Sequence, residues 1–362
     1  MEQILLRDTY AEIDLEKIAH NIRVMKDVVG PDVAIAAVAK ANGYGHGAVE
    51  ITPILIENGA DLLAVATLSE ALELKKAYPK YDVMIMGYTP DHLLKIAFDY
   101  GCIITIFSHK QAEILNKLGS TRIHFKIDTG FHRLGLSCDE ESVKTVQKIT
   151  SLKNLKVEGI FSHLALSDKE GDAEQFKRFT NFIKQLEDKN IDIKFRHLCD
   201  SIATTRYPEY RLNMVRLGAI LYGMSGKGQK LPVKQAFTLK SKLSHITFVK
   251  KGKGVSYDYF WKAKKDSIIG TLPIGYADGY PRRLTHNGIV SVHGKHVPIA
   301  GVICMDQLMI DLSEVPEAKP GDEVILYGDE AGLPISKIAL LCQTNKNEIL
   351  SRITTRVPRV YI

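Results

Sequence analysis

A chain of 362 residues, 45% apolar and 25% charged, has globular proportions, with room for two domains or for one large barrel and an appendage. Its 48 Lys and Arg against 42 Asp and Glu balance at +6 with both signs interspersed, too mild a charge to indicate nucleic acid as a partner. No stretch reaches the roughly 18 apolar residues of a membrane span. Acidic residues also stand where a signal peptide has its apolar core, so no membrane partner is expected and the cytoplasm is the default location. Five scattered cysteines, Cys102, Cys138, Cys199, Cys304 and Cys342, lack CxxC spacing and read as reduced thiols, with no metal site expected.

From Val33 onward, short apolar runs alternate with segments of helical periodicity. The runs are VAIAAVA (33–39), LLAVA (62–66), VMIMG (83–87), IITIF (103–107), RIHFKID (122–128), KVEGIFSH (156–163), IKFRHLC (193–199) and MVRLG (214–218). Helices are predicted between them, among others over 69–78, 141–150 and 173–189. Eight such units predict an α/β fold, a TIM (β/α)8 barrel, whose parallel strands are covered on both faces and so read as continuous apolar runs. After Ala236 the pattern changes to period-2 segments punctuated by Lys251-Gly252, Gly294-Lys295 and Pro320-Gly321, which predicts a mainly antiparallel β domain. The expected division is 1–237 for the barrel and 238–362 for the β domain.

In such a barrel the chemistry sits at the C-terminal ends of the strands. Lys40 ends the first run, Lys126 and Asp128 the fifth and His163 the sixth; Asp200 and Ser201 follow the seventh, and Arg216 lies in the eighth. Lys40 precedes glycines at 43, 45 and 47, whereas a P-loop places its lysine after them and a dinucleotide fingerprint needs GxGxxG, so both phosphate motifs fail. Position alone leaves two readings for Lys40: a strand-end cation reaching solvent, or a desolvated amine able to form a Schiff base with a carbonyl.

Eight segments in order carry more: AKANGYGHG (39–47), KIDTGFHRLG (126–135), EGIFSHLALSD (158–168), NMVRLGAILYG (213–223), GVSYD (254–258), LPIGYADGYPRRL (272–284), GVICMDQLMIDL (301–312) and RVPRVY (356–361). Together they resemble the alanine racemase family, the first being similar to its pyridoxal-phosphate attachment signature. The resemblance implies a TIM barrel followed by a β domain, pyridoxal 5'-phosphate as cofactor, and a small amino acid as substrate. It also implies a homodimer in which Tyr257 and Met305 serve the neighbouring subunit's site. By the same resemblance Lys40 binds the cofactor and is the base on one face of the substrate, and Tyr257 is the base on the other. His163 and Arg216 support the tyrosine, and Arg216 faces the pyridine nitrogen. Tyr44, Ser201, Gly218 and Ala219 cradle the phosphate. Arg133 holds the substrate carboxylate, oriented by Lys126, which is carbamylated in many members. Met305, Tyr276, Arg282 and Asp168 shape substrate access.

Four positions depart from the common pattern: His132 for glycine, Asp200 for asparagine, Val302 for arginine, and Thr355 where a tyrosine often contacts the phosphate and narrows the entrance. Threonine there implies a looser phosphate grip and room for serine as well as alanine, so a serine or broader-specificity racemase is the alternative. The related barrel-plus-β-domain decarboxylases use a cysteine in the second domain, and Cys304 within ICMDQ fits the racemase pattern better. Non-catalytic barrels that bind pyridoxal phosphate lack a second domain. The fit to a racemase implies supply of D-alanine for cell-wall precursors.

Overall fold

The computed structural model describes residues 5–226, 228 and 230–362; the first four residues of the expected barrel domain lie outside them. The described chain divides into two compact units.

One unit comprises Ile18–Gly43 and Ala48–Val233. Its strands are Ala34–Val38, Leu62–Val65, Val83–Ile85, Ile103–Ile106, Thr121–Asp128, Leu155–Phe161, Phe195–His197 and Met214–Leu217. They pair parallel in that order, and Met214–Leu217 pairs with Ala34–Val38 to close the circle. Each predicted strand is present within a few residues of its expected limits. Ile35, Leu63, Val65, Ile85, Ile104, Phe125 and Ile160 are all fully buried, the double-sided burial that their unbroken apolar runs require. Helix starts follow side-chain caps: Thr67 before Leu68–Ala77, Asp139 before Glu140–Thr150 and Asp168 before Lys169–Glu187. The last begins four residues ahead of its expected start, because the Asp168 carboxylate accepts the Gly171 N–H at 2.7 Å.

The other unit comprises the described residues up to Lys17, Tyr44–Gly47 and Lys234–Ile362. Its largest sheet has the order Lys295–Pro298, Ile289–Val292, Glu323–Tyr327, Phe237–Lys242, Tyr10–Ile13, Arg359–Tyr361. A second sheet joins His245–Val249, Ser267–Leu272 and Leu308–Asp311, and a short ribbon pairs Gly254–Val255 with Trp261–Lys262. Pairing is antiparallel except between Tyr10–Ile13 and Arg359–Tyr361. Ile335–Cys342 and Lys346–Ser351 form helices within a unit expected to be mostly strands. The buried set Ile335, Ile338, Ala339 and Cys342 has helical spacing, a signal the period-2 reading passed over.

A single division at 237/238 differs from this arrangement. Ala11 and Ile13 are fully buried on one face of a four-residue strand that pairs with Phe237–Lys240, so the N-terminal segment belongs to the β unit. Among the described residues no helix is long and apolar enough to cross a membrane.

In the β unit, the fully buried Asp278 carboxylate gathers three distant segments. It meets Arg7 at 2.7 Å and Arg356 at 3.3 Å and accepts the Gly275 N–H at 3.0 Å, while Arg356 reaches Asp306 at 2.7 Å. Removing one partner of a buried ion cluster typically costs about 3–5 kcal/mol. Because both arginines are partly solvated, Asp278→Asn is expected at the low end, a loss of about 3 kcal/mol, read as a lowered urea midpoint by circular dichroism at fixed protein concentration. An unchanged midpoint would show that the cluster contributes no net stability.

Candidate active site

Lys40 follows the first barrel strand, and the backbone after it is unusual. Ala41, Asn42, Gly43 and Tyr44 have φ of 52, 53, 60 and 54°, one turn of left-handed helix. Each non-glycine residue there costs about 1–2 kcal/mol, and specific hydrogen bonds offset the cost. Gly43 N–H donates to Ala39 O at 2.8 Å, Ala48 N–H to Asn42 Oδ1 at 2.7 Å, and Ala41 N–H to Glu70 Oε1 at 2.7 Å. The other oxygen of Glu70 accepts from Ala66 and Thr67 N–H at 2.8 and 3.1 Å, so one carboxylate ties together the ends of the first two strands. The glycines are demanded by the backbone: a Cβ on Gly43 would lie 2.5 Å from Ile51 Cδ1, and one on Gly45 2.4 Å from Leu350 O. Burial lowers the Lys40 pKa, helped by the charges of Arg133 and Arg216 and opposed by Glu70 and Asp200.

Arg216 is buried in the last barrel strand. One terminal nitrogen donates to His197 Nδ1 at 3.0 Å and His197 O at 3.1 Å; the other donates to Ser162 O and Leu198 O, each at 2.8 Å, and to His163 Nδ1 at 3.3 Å. Among the described residues nothing accepts from its Nε–H. Burial brings its pKa down only to about 10, so it stays charged at neutral pH. His163 is pushed down to about 2 by burial and then by Arg216, and is therefore neutral; since its Nδ1 accepts, its proton is on Nε2. Gln175 fixes that strand end, donating to His163 O at 3.2 Å and accepting from Ala165 N–H at 2.8 Å.

Lys126 is buried and pushed down to about 7 by desolvation, with Arg216 adding to the fall; its amine donates to Ile127 O at 2.8 Å. Arg133 is exposed, its guanidinium over the face of Phe131 at 4.5 Å. His132 has φ 56°, the left-handed region that glycine adopts freely, and the nearby Asp128 carboxylate accepts its N–H at 3.1 Å. Ser201 Oγ accepts the Gly218 N–H at 2.9 Å, and Asp200 Oδ1 caps the following helix through Ile202 and Ala203 N–H, both at 2.9 Å. Ala219 opens the next turn. Asp168, expected at the substrate path, is occupied as a helix cap.

Tyr44, Tyr257, Tyr276, Arg282, Met305 and Thr355 belong to the β unit. Tyr257 is 66% exposed in a turn where Ser256, Asp258 and Tyr259 all have positive φ, and Ser256 Oγ anchors that turn to Val302 O at 2.7 Å. The Tyr276 and Met305 loops are joined by two bonds, Tyr276 N–H to Cys304 O at 3.1 Å and Ala277 N–H to Met305 O at 3.0 Å. Thr355 is exposed beside Thr354, whose N–H donates to Asp278 O at 3.0 Å. Arg282 lines a cavity of ≈ 770 Å³ with Asp258, Phe260, His286, Val302 and Gln343. Glu70, Gln175 and His197 were not singled out from the sequence; only Glu70 carries a local signal, the T-x-x-E of a capping box.

Comparison with known proteins fits this arrangement. Residues 13–226 match the family model for the alanine racemase N-terminal domain, and residues 236–361 match that for the C-terminal domain. An alanine racemase of Clostridium tetani is 41% identical, covering 99% of this chain and 96% of its own, and alanine racemase 1 of Clostridium acetobutylicum is 42% identical over the same shares. The solved alanine racemase of Clostridium difficile 630 superposes with a TM-score of 0.96 at 34% identity, covering 99% of this chain and 97% of that one. With both domain models matched in order and relatives near 40% identity along nearly its whole length, the chain belongs to the alanine racemase family.

Proposed function

We propose that this chain interconverts L- and D-alanine with pyridoxal 5'-phosphate as its resident cofactor, supplying D-alanine for cell-wall precursors. The observation that carries the reading is the pairing of Lys40, its amine shifted toward the neutral form, with a buried Arg216 whose Nε–H alone has no acceptor among the described residues. The residues suit the cofactor. The open Arg216 donor matches a pyridine nitrogen, and the Ser201 hydroxyl, which accepts from Gly218 N–H and keeps its own proton to give, suits a phosphate beside Ala219; by the family pattern Tyr44 and Thr355 would add their hydroxyls.

When bound, pyridoxal phosphate supplies an electron-withdrawing ring that spreads the negative charge developing at the substrate α carbon. Lys40 Nζ holds the cofactor and then takes or returns the α proton on one face. Tyr257 of the partner subunit serves the other face through its Oη, and its anion is stabilised by the proton-bearing Nε2 of His163. Arg216 cannot give up a proton at neutral pH, so it leaves the ring nitrogen unprotonated and limits charge delocalisation, favouring simple return of the proton. Exposed Arg133 takes the substrate carboxylate. Lys126, with a pKa near 7 and an arginine charge nearby, has the neutral amine that carbamylation by CO2 requires, and the resulting anion would steady Arg133.

A coupled assay of D-alanine formation, run over a panel that includes L-serine, tests the reading. Alanine is expected as the main substrate and Lys40→Ala as inactive; a silent wild type would refute it. Shared sites predict that mixing Lys40→Ala with Tyr257→Phe subunits restores activity, since one of the two heterodimer sites is then wild type. Verified heterodimers without recovery would place both bases in one subunit. Asp200→Asn keeps the oxygen that caps the helix and removes a negative charge beside the proposed phosphate. Apo protein is expected to bind pyridoxal phosphate about three- to tenfold more tightly in a fluorescence titration, the effect of one partly solvated charge; equal affinities would show that Asp200 does not act on the phosphate.

A further inference from the structure

We infer that His124 is a positioning residue, the terminal acceptor of a directional hydrogen-bond chain that runs from Arg216 through His197 and fixes how the guanidinium is held. His124 lies two residues before Lys126 in the Thr121–Asp128 strand and is fully buried, as is His197. His124 Nδ1 is 3.0 Å from His197 Nε2, and His197 Nδ1 is 3.0 Å from a terminal nitrogen of Arg216.

Proton positions follow from chemistry. A guanidinium only donates, so His197 Nδ1 accepts and the single proton of a neutral His197 is on Nε2. That proton points at His124 Nδ1, which must accept, placing the His124 proton on Nε2. A second proton on either ring would set two N–H groups against each other at 3.0 Å, at His197 Nδ1 or at His124 Nδ1.

The surroundings agree. The charges facing His197 are Arg216 and Lys126, with His124 beside it and the Phe161 ring stacked on it at 4.8 Å; those facing His124 are Arg122 and Arg216, with the Phe195 ring 6.3 Å away. Burial and these cations push His124 down to about 3 and His197 well below its ordinary value. His124 Nε2 has no acceptor among the described residues, and a buried donor left unpaired typically costs about 1–3 kcal/mol. An aliphatic side chain would avoid that cost but could not accept from His197. The chain therefore holds one end of Arg216 in place, while the carbonyls of Ser162 and Leu198 hold the other.

The catalytic consequence rests on the proposed role of Arg216; the hydrogen-bond chain does not. The test begins with cofactor-free wild-type protein carrying 15N-histidine. Long-range proton–nitrogen spectra between pH 5.5 and 9 are expected to show His124 and His197 as neutral Nε2–H tautomers throughout. A His197 Nδ1–H tautomer, or titration of either ring in that range, would overturn the inference. His124→Asn offers an amide oxygen near the position of Nδ1, and His124→Leu offers no acceptor. The Asn variant is expected to keep kcat within about twofold and the Leu variant to lose about tenfold, with KM for alanine unchanged in both, as for other supporting-layer residues. Equal kcat in the two variants would overturn the positioning role, and loss of KM alone would do the same. Wild-type protein without racemase activity would refute the function proposed for Arg216 and leave the tautomer result to decide the chain.

Discussion

A cation buried inside a closed barrel, with no carboxylate in contact among the described residues, is the constraint on which the rest of this site depends. Removing a guanidinium from water is costly unless its donors are met, and Arg216 meets the requirement with three backbone carbonyls and two imidazoles. The imidazoles must then be neutral. The same charge acts on the two lysines of this unit's site, adding to the burial that brings Lys126 to about 7 and contributing to the fall at Lys40. Burial and this one charge thus act together on the protonation of its neighbours, with Glu70 and Asp200 opposing them at Lys40.

Around this charge the protein favours rigid supports. The left-handed turn after Lys40 is an unfavourable conformation held by Glu70, Asn42 and two close-packed glycines, so the lysine leaves its strand in one direction. Gln175 does for His163 what Glu70 does for Lys40, reaching from a helix to fix the end of a strand. In the β unit the loops of Tyr276 and Met305 share backbone hydrogen bonds, and Asp278 links them to the segment that carries Thr355. Each proposed functional side chain sits on or beside a segment pinned by a polar group further back.

The barrel was legible because a strand buried on both faces has an unbroken apolar run, and eight such runs leave few alternatives. The strand-end rule found Lys40, Lys126, His163 and Arg216 from position; Tyr257, Met305 and Thr355 came from resemblance, since an exposed tyrosine in a turn has no local mark. His197 and His124 stayed hidden for a physical reason. Inward-facing residues of a barrel alternate with outward-facing ones, and these two histidines become part of a network only through other strands, 73 positions apart from each other and 19 from His197 to Arg216. The third hydrogen bond of Glu70 was invisible for the same reason, although its capping box was plain. Likewise the strand at Tyr10–Ile13 went unread, since its partners lie more than 220 residues downstream.

That pairing has a temporal side. Tyr10–Ile13 leaves the ribosome well before its partners, Phe237–Lys242 and Arg359–Tyr361, which lie more than 220 residues downstream. The eight barrel strands are complete by Leu217, so at usual translation rates of about 5–20 residues per second the barrel has several seconds in which to assemble while the first strand waits as an open edge. Unpaired edges recruit other chains. Tyr10–Ile13, next to the edge of the second unit's largest sheet, is therefore left without either neighbour until Phe237–Lys242 has been made, and with one side open until Arg359–Tyr361 follows.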